Sequence, residues 1–461
     1  MTSRLPAVWK RLSSSITPRP APPKGYLHGP IRDTAFPAGY ALTGIHCGIK
    51  KTGAPDLAVI LSTTPHAASA AACFTRNAFK AAPVVVSEDI INNSGGRARA
   101  IVVNSGCANA VTGKQGMEDA WAMVRATDAL LEPAGQRETL VMSTGVIGQN
   151  LPISKIIAGI ESQRAEGNSL ASNFSAWERA AKAFMTTDTF PKLRARTFEI
   201  KGKKYRIAGM DKGAGMIHPD MGPPRSSGQL HATLLGCIMT DAAVSPRSLQ
   251  SALTYAVDRS FNSISVDGDM STNDTIVVLA NGAAAGPQDE IDEERDRERY
   301  EAFRDELTTF AADLAQLVVR DGEGATKFVT ISVEAGYGAA TYEDAHQIAS
   351  RISTSALVKT ALYGEDANWG RVLAATGSVP LSVPLDPTKV SVSFIPTDGT
   401  PALPLLVSGE PEKVDEVRAK KILSVEDLEI QVQIGTGKES AKYWTCDFSY
   451  EYVRINGDYR S

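Results

Sequence analysis

The sequence predicts a mixed α/β fold, of the α/β or α+β class, arranged as two lobes. Three observations predict it. Apolar runs of strand length alternate with helix-period patterns from about residue 33 onward. Strands and helices mix along the whole chain, with no internal repeat. The 461 residues are 43% hydrophobic and 22% charged, which is ample material for a large core.

The elements follow in order. Residues 1–32 contain no acidic residue but hold Arg4, Lys10, Arg11, Arg19, Lys24 and Arg32, a serine cluster and a proline-rich stretch. That is the composition of a mitochondrial or plastid transit peptide, the alternative being a disordered basic tail. "ARAIVVNSG" (98–106) and "RETLVMSTGVIG" (137–148) are buried strands entering glycine turns. "PISKIIAGIESQ" (152–163) is a helix with proline in its first turn, and a second helix ends at Phe184, before the threonines of "MTTDT". "KKYRIAGMDKGAGM" (203–216) is a strand running into a glycine loop. "TLLGCIMTDAAV" (233–244) is a strand, and "SPRSLQSALTYAVDRSF" (245–261) a helix with serine at its start.

The clearest helix spans Asp296 to Arg320, where Phe303, Leu307, Phe310, Leu314, Leu317 and Val318 form one apolar stripe. The charged run over 289–307 reads as a solvated face and exposed linker. "KFVTISVEAG" (327–336) is a strand and 341–364 one long helix. Residues 428–453 read as a β-hairpin around Gly435-Thr436-Gly437.

Composition narrows the partners. A net charge of −4 gives no basic field for nucleic acid or a membrane surface, and no run reaches the ~18 apolar residues of a span. Small molecules are the expected ligands. Cys47, Cys73, Cys107, Cys237 and Cys446 form no C-x-x-C pair and the histidines are scattered, so neither a metal site nor a disulfide framework is expected. The thiols read as free and buried.

Several familiar motifs fail on inspection. "KGAGMIHP" has Gly213 and Gly215 but His218 where a dinucleotide loop needs its third glycine. "VQIGTGKES" has Val432 in place of the first P-loop glycine. "SVDGDMSTNDT" offers Asp267, Asp269, Asn273 and Asp274, yet Thr272 and Val278 stand where a calcium loop needs glycine and glutamate. Its carboxylates are expected to cap the following strand. No G-x-S-x-G elbow exists, and His231 has Leu235 where H-x-x-x-D chemistry needs aspartate.

One nucleophile needs no histidine: a threonine with a free α-amino group. Its amine, with a pKa of roughly 7.7–8.0, can take the hydroxyl proton during attack. Thr233 would gain that amine if its hydroxyl attacked the Ala232 carbonyl, shifted the acyl group from N to O, and water hydrolysed the ester. Ala232 is small enough to leave the approach open. Alone, Ala-Thr before an apolar run is weak evidence, because β-branched residues simply favour strands and an ordinary strand is the default reading.

The surrounding segments decide between these. "VNSGCANA", "MSTGVIG", "MTTDTFPK", "KGAGMIHPDM", "HATLLGCIMTDAAVS", "SVDGDMSTNDT", "RDGEGATKF", "VKTALYGEDANWGR" and "INGDYRS" together resemble the ArgJ family of glutamate N-acetyltransferases/ornithine acetyltransferases, in its fungal mitochondrial form, from about residue 36 to the end. The resemblance implies the layered fold shared by ArgJ and DmpA proteins, with N-terminal-nucleophile chemistry. It implies a chain cut between Ala232 and Thr233 into an alpha chain (33–232, after a 1–32 transit segment) and a beta chain (233–461). The two would assemble as α₂β₂ in the mitochondrial matrix. The implied reaction moves acetyl from N2-acetyl-L-ornithine to L-glutamate, with no cofactor or metal and with acetyl-CoA as a possible second donor. The Q/R-x-x-G-x-G/A loop used elsewhere for acetyl-CoA is absent.

Roles carried over by the resemblance are Thr233 as nucleophile and Thr144 with Gly145 as oxyanion hole. Substrate would be bound by Thr186, Lys212, Thr233, Glu323, Asn456 and Ser461, with neighbouring Thr187 an alternative to Thr186. The insertion "GPPRSSGQL" between Met221 and His231 departs from the family and reads as a tolerated surface loop. Two other readings stand beside this one. A hydrolase of similar fold would release free acetate or cleaved peptides, and a metabolite-binding protein would leave Thr233 uncut.

Overall fold

A computed structural model describes residues 20–133, 136–224, 234–286, 288–334 and 337–457. The chain opens a first sheet with β1 (Tyr40–Ile45) antiparallel to β2 (Leu57–Ser62). β3 (Ala68–Thr75) then leaves for a second sheet, and α1 (Ala82–Asn93) starts with Pro83 in its first turn. β4 (Arg97–Ala98) returns to β3. β5 (Ala100–Cys107), α2 (Gly113–Asp128) and β6 (Thr139–Val146) complete the first sheet in the order β1-β2-β5-β6, with β5 and β6 parallel.

After α3 (Ile153–Glu161) and α4 (Phe174–Phe184) come β7 (Lys192–Ile200), β8 (Lys203–Lys212), β9 (Met221–Gly222) and β10 (Leu235–Thr240). Next are α5 (Pro246–Asp258), β11 (Ile264–Ser265) and β12 (Thr275–Ala280). The second sheet is ordered β4-β3-β12-β10-β8-β7, with β9 on β3. Strand β10 is buried along its whole length, as a near-continuous apolar run at a sheet centre requires.

Layering follows from which face each residue presents. In β12, Val277 and Leu279 join the core shared with the first sheet, while Ile276 and Val278 face Phe303, Leu307 and Phe310. α1 and α4 fill the space between the two sheets, α2 and α3 pack with the first sheet, and α5 and α6 (Arg297–Arg320) pack against the second. Gly44 makes the α4 contact possible: a Cβ there would lie 2.0 Å from the Arg179 carbonyl oxygen. The α6 stripe read from the sequence is buried throughout, and Asp296 caps the helix by accepting from the Arg299 N–H. The acidic run before it is less solvated than expected, because Ile291 is buried and Asp292 accepts a bond from Ser245.

The second lobe is built from β13 (Phe328–Val333), α7 (Tyr342–Ser353), α8 (Ala356–Tyr363), α9 (Trp369–Thr376), β14 (Ser391–Pro396) and β15 (Leu403–Val407). β16 (Glu410–Pro411), α10 (Glu416–Ser424), β17 (Asp427–Gln433), β18 (Ala441–Cys446) and a final helix, α11 (Tyr450–Gly457), complete it. Its sheet is ordered β11-β18-β13-β17-β14-β15-β16 around a core of its own.

Two expectations are corrected here. β17 and β18 do not form a hairpin: β13 lies between them, parallel to β17 and antiparallel to β18. The single helix over 341–364 is two, because Ser355 leaves helical geometry and its hydroxyl accepts from the Val358 N–H to start α8.

Candidate active site

Every expected site residue that lies among the described ones lines a single cleft of about 240 Å³: Thr144, Gly145, Thr186, Lys212, Glu323 and Asn456. Thr187 lines it too, so the choice between Thr186 and Thr187 stays open. Ala232, Thr233 and Ser461 lie outside the described residues. The cleft opens between the ends of the first two sheets, and Val146, Ile147 and Met216 give it a partly exposed apolar rim.

Thr144 and Gly145 sit at the end of β6 and not beyond it. Gly145 has φ +127°, and a Cβ there would meet the Gly106 carbonyl carbon at 2.3 Å, so only glycine fits. Buried amides brace this strand end. Asn273 donates to the carbonyls of Ser143 (2.7 Å) and Ala108 (2.6 Å), and the Ser143 hydroxyl donates to Asn104 (2.6 Å).

Lys212 belongs to the strand and not to the glycine loop after it. It is the last residue of β8 and only 3% exposed, and its ammonium donates to the Thr144 hydroxyl at 3.3 Å. Burial lowers its pKa, and the charge of Asp188 works against that shift. A cation is thereby held beside the hydroxyl that the resemblance assigns to the oxyanion hole.

Asp188 organises this wall, although the sequence reading passed over it. Oδ2 accepts the Thr186 N–H (2.8 Å), while Oδ1 accepts the Gly213 N–H (2.8 Å) and the Lys192 ammonium (2.6 Å). Burial pushes the carboxyl up, but Lys192 and Lys212 outweigh it and hold the group well below the usual carboxylate range. An acid in a threonine-rich loop looks like any turn residue; the signal that could have found it was Lys192, four residues on in "DTFPK".

Glu323 is 7% exposed, and its N–H donates to the Ala214 carbonyl at 2.8 Å. Asn456, on α11, donates to Glu323 Oε2 at 2.7 Å and to the Tyr452 carbonyl at 3.0 Å. The cleft thus carries a carboxylate at one part of its wall and an ammonium at another.

The 267–274 loop does not simply cap its following strand. Asp267 reaches back to accept the N–H groups of Met216 (2.6 Å) and Ile217 (2.9 Å), and the Tyr452 hydroxyl lies 3.3 Å away. Burial pushes its carboxyl up to about 6, with those N–H bonds opposing the shift. The Asp274 carboxylate is fully buried, has no hydrogen-bond partner among the described residues, and is pushed well up by desolvation. His218 and His346 flank Tyr443 and hold structural contacts; His231 lies outside the described residues.

A model of the ArgJ family matches residues 41–461. The chain belongs to the ArgJ family. It is similar to the "Arginine biosynthesis bifunctional protein ArgJ, mitochondrial" of Postia placenta, 82% identical over the full length of both chains. The protein of the same description from Laccaria bicolor is 70% identical, over 98% of this chain and 99% of that one. Among solved structures, the ornithine acetyltransferase of Mycobacterium tuberculosis, complexed with ornithine, is 35% identical with a TM-score of 0.35; it covers 41% of this chain and 96% of that chain. Membership in the ArgJ family bears out the resemblance, and with it a mitochondrial acetyltransferase of arginine biosynthesis that acts on small molecules. Among the described residues no helix is long and apolar enough to cross a membrane.

Proposed function

We propose that this ArgJ-family chain cuts itself between Ala232 and Thr233, and that Thr233 then carries acetyl from N2-acetyl-L-ornithine to L-glutamate in the mitochondrial matrix. The observation that carries the reading is convergence. Residues from β6, the 186–187 loop, β8, the turn after α6 and α11 meet on one cleft, at the sheet end where the described chain resumes with Leu234. The Leu234 carbonyl accepts the Thr275 N–H (2.8 Å), and Leu235 pairs in register with Lys212. Residue 233 is therefore two peptide bonds upstream of β10, the strand that pairs with Lys212 of the cleft wall.

The chemistry runs in two stages. In maturation the Thr233 hydroxyl attacks the Ala232 carbonyl carbon, the C–N bond breaks in favour of an ester, and water hydrolyses the ester to a carboxylate and a free α-amine. In turnover that amine takes the hydroxyl proton as Oγ attacks the acetyl carbonyl. The tetrahedral oxyanion is met by the Thr144 hydroxyl and the Gly145 N–H, each donor being worth about 2.7–4 kcal/mol of barrier. Collapse returns the proton to the departing α-amine of ornithine and leaves acetyl-Thr233. The α-amine of glutamate then attacks the ester, giving N-acetylglutamate.

Lys212 pairs with the substrate α-carboxylate and Glu323 with the side-chain ammonium of ornithine. Thr186, Asn456 and Ser461 complete the binding by neutral hydrogen bonds. Acetyl-CoA serves as a second donor, and the alpha (33–232) and beta (233–461) chains assemble as α₂β₂ after loss of residues 1–32. The test is N-terminal sequencing of purified protein together with Thr233→Ala. Thr-Leu-Leu-Gly at one chain end, with loss of both cleavage and transfer in the variant, is expected. An active protein left uncut at 232–233 overturns the reading, and free acetate in place of stoichiometric N-acetylglutamate makes the enzyme a hydrolase.

A further inference from the structure

Three segments that carry cleft residues are tied together beneath the cleft by one buried ion triad. Lys192, at the start of β7, is fully buried, and its ammonium lies 2.6 Å from Asp188 and 2.6 Å from Asp321. Its stem passes the Phe190 ring, with the nitrogen 5.0 Å from the ring centre. Each carboxylate also accepts hydrogen bonds from residues close to the cleft. Asp188 takes the N–H of Thr186 and of Gly213, the residue after Lys212. Asp321 takes the N–H (2.9 Å) and the hydroxyl of Thr189, and stands two residues before Glu323. The Glu323 N–H to the Ala214 carbonyl closes the circuit at 2.8 Å. From Lys212 to Glu323 the path is therefore a ring of hydrogen bonds and ion pairs, and its three charged members, Asp188, Lys192 and Asp321, do not line the substrate cleft.

A buried ion triad is weak evidence for stability, because desolvation cancels most of its attraction. What it supplies is fixed geometry: an ammonium between two carboxylates has one arrangement, and sliding either loop breaks it. The loops held this way carry the two opposite charges of the cleft wall. Their separation sets how far apart a donor's α-carboxylate and terminal ammonium must be.

We propose that Asp188, Lys192 and Asp321 are positioning residues that fix the span from Lys212 to Glu323, and so determine the chain length of the diamino-acid donor. This rests on the proposed reading that the donor is an N-acetylated diamino acid. Ornithine and lysine differ by one methylene, and a pocket of fixed length separates such a pair by roughly 10–200-fold in kcat/KM. A triad that held the protein together without setting the span would, when weakened, lower both values by the same factor.

The experiment compares Nα-acetylornithine with Nα-acetyllysine as donors to glutamate, using self-processed full-length enzyme. The wild type is expected to favour ornithine within the range above. Lys192→Met removes the cation at similar volume, and the preference should fall at least about fivefold. Where that variant does not fold, Asp321→Asn and the milder Thr189→Val, which removes only the hydroxyl bond, read the same ratio in the same direction. A wild-type ratio in these variants, with both kcat/KM values lowered equally, overturns the inference alone. A wild-type enzyme that moves no acetyl from Nα-acetylornithine overturns the donor assignment, and the inference with it.

Discussion

Replacing Gly145 with alanine puts the oxyanion assignment to a quantitative test. With φ at +127°, the position lies where L residues are strained, and holding alanine there costs on the order of 1–3 kcal/mol. The new methyl would also sit 2.3 Å from the Gly106 carbonyl carbon, 2.5 Å from its oxygen and 2.7 Å from the Cys107 nitrogen. All three are backbone atoms of the paired strand, so no side-chain rotation relieves the clash. The peptide at 145 has to tilt, and its N–H turns away from the developing oxyanion. Losing one such donor lowers kcat about 10²–10³-fold. The assay is chromatographic measurement of N-acetylglutamate at saturating donor and acceptor, with a thermal melt to confirm that the variant is folded. A folded Gly145→Ala enzyme with kcat within about threefold of wild type would refute the reasoning, because a lost donor cannot be that mild.

Gly215→Ala meets a different neighbour, since its Cβ would fall 2.3 Å from Glu323 Oε2, the far end of a flexible side chain. The carboxylate swings and the 2.7 Å bond from Asn456 breaks, so KM for N-acetylornithine should rise roughly tenfold, with kcat little changed; an unaltered KM would remove Glu323 from donor binding. Asp267 titrates at about 6 in the folded protein against an ordinary 3.8. A raised acid holds its proton more tightly when folded, so the stability it contributes is fully present below 3.8 and lost as pH climbs through about 6. The melting-temperature advantage of wild type over Asp267→Asn should therefore shrink across that window, and a constant difference would show that the carboxyl does not titrate there.

Much of the fold was legible from local periodicity, and the failures have a common origin. The stripe of α6 and the unbroken apolar run of β10 are local signals, so their elements appeared where expected. Pairing is not local. Nothing in residues 428–453 says that β13, some hundred positions upstream, will insert between two strands joined by a glycine turn. The break after Ser353 was hidden because the apolar spacing continues through it, although Ser355 in "STSALV" is a recognisable cap. At the site, Thr144, Gly145, Thr186, Lys212, Glu323 and Asn456 were reached through motifs. Asp188, Lys192 and Asp321 were not, since each reads singly as a surface charge and only the tertiary structure brings both carboxylates to 2.6 Å of the ammonium.

The threading of the second sheet has a bearing on what a severed polymer does next. β12 and β10 come after residue 232, β3 and β8 before it, and the downstream pair is sandwiched between the upstream pair. Neither fragment can leave without tearing open two ladders, so a nicked molecule should still melt as one cooperative body. Halves synthesised apart would each carry raw strand edges in search of a mate. Were the backbone cut at the proposed place, this architecture would already hold the wound sutured.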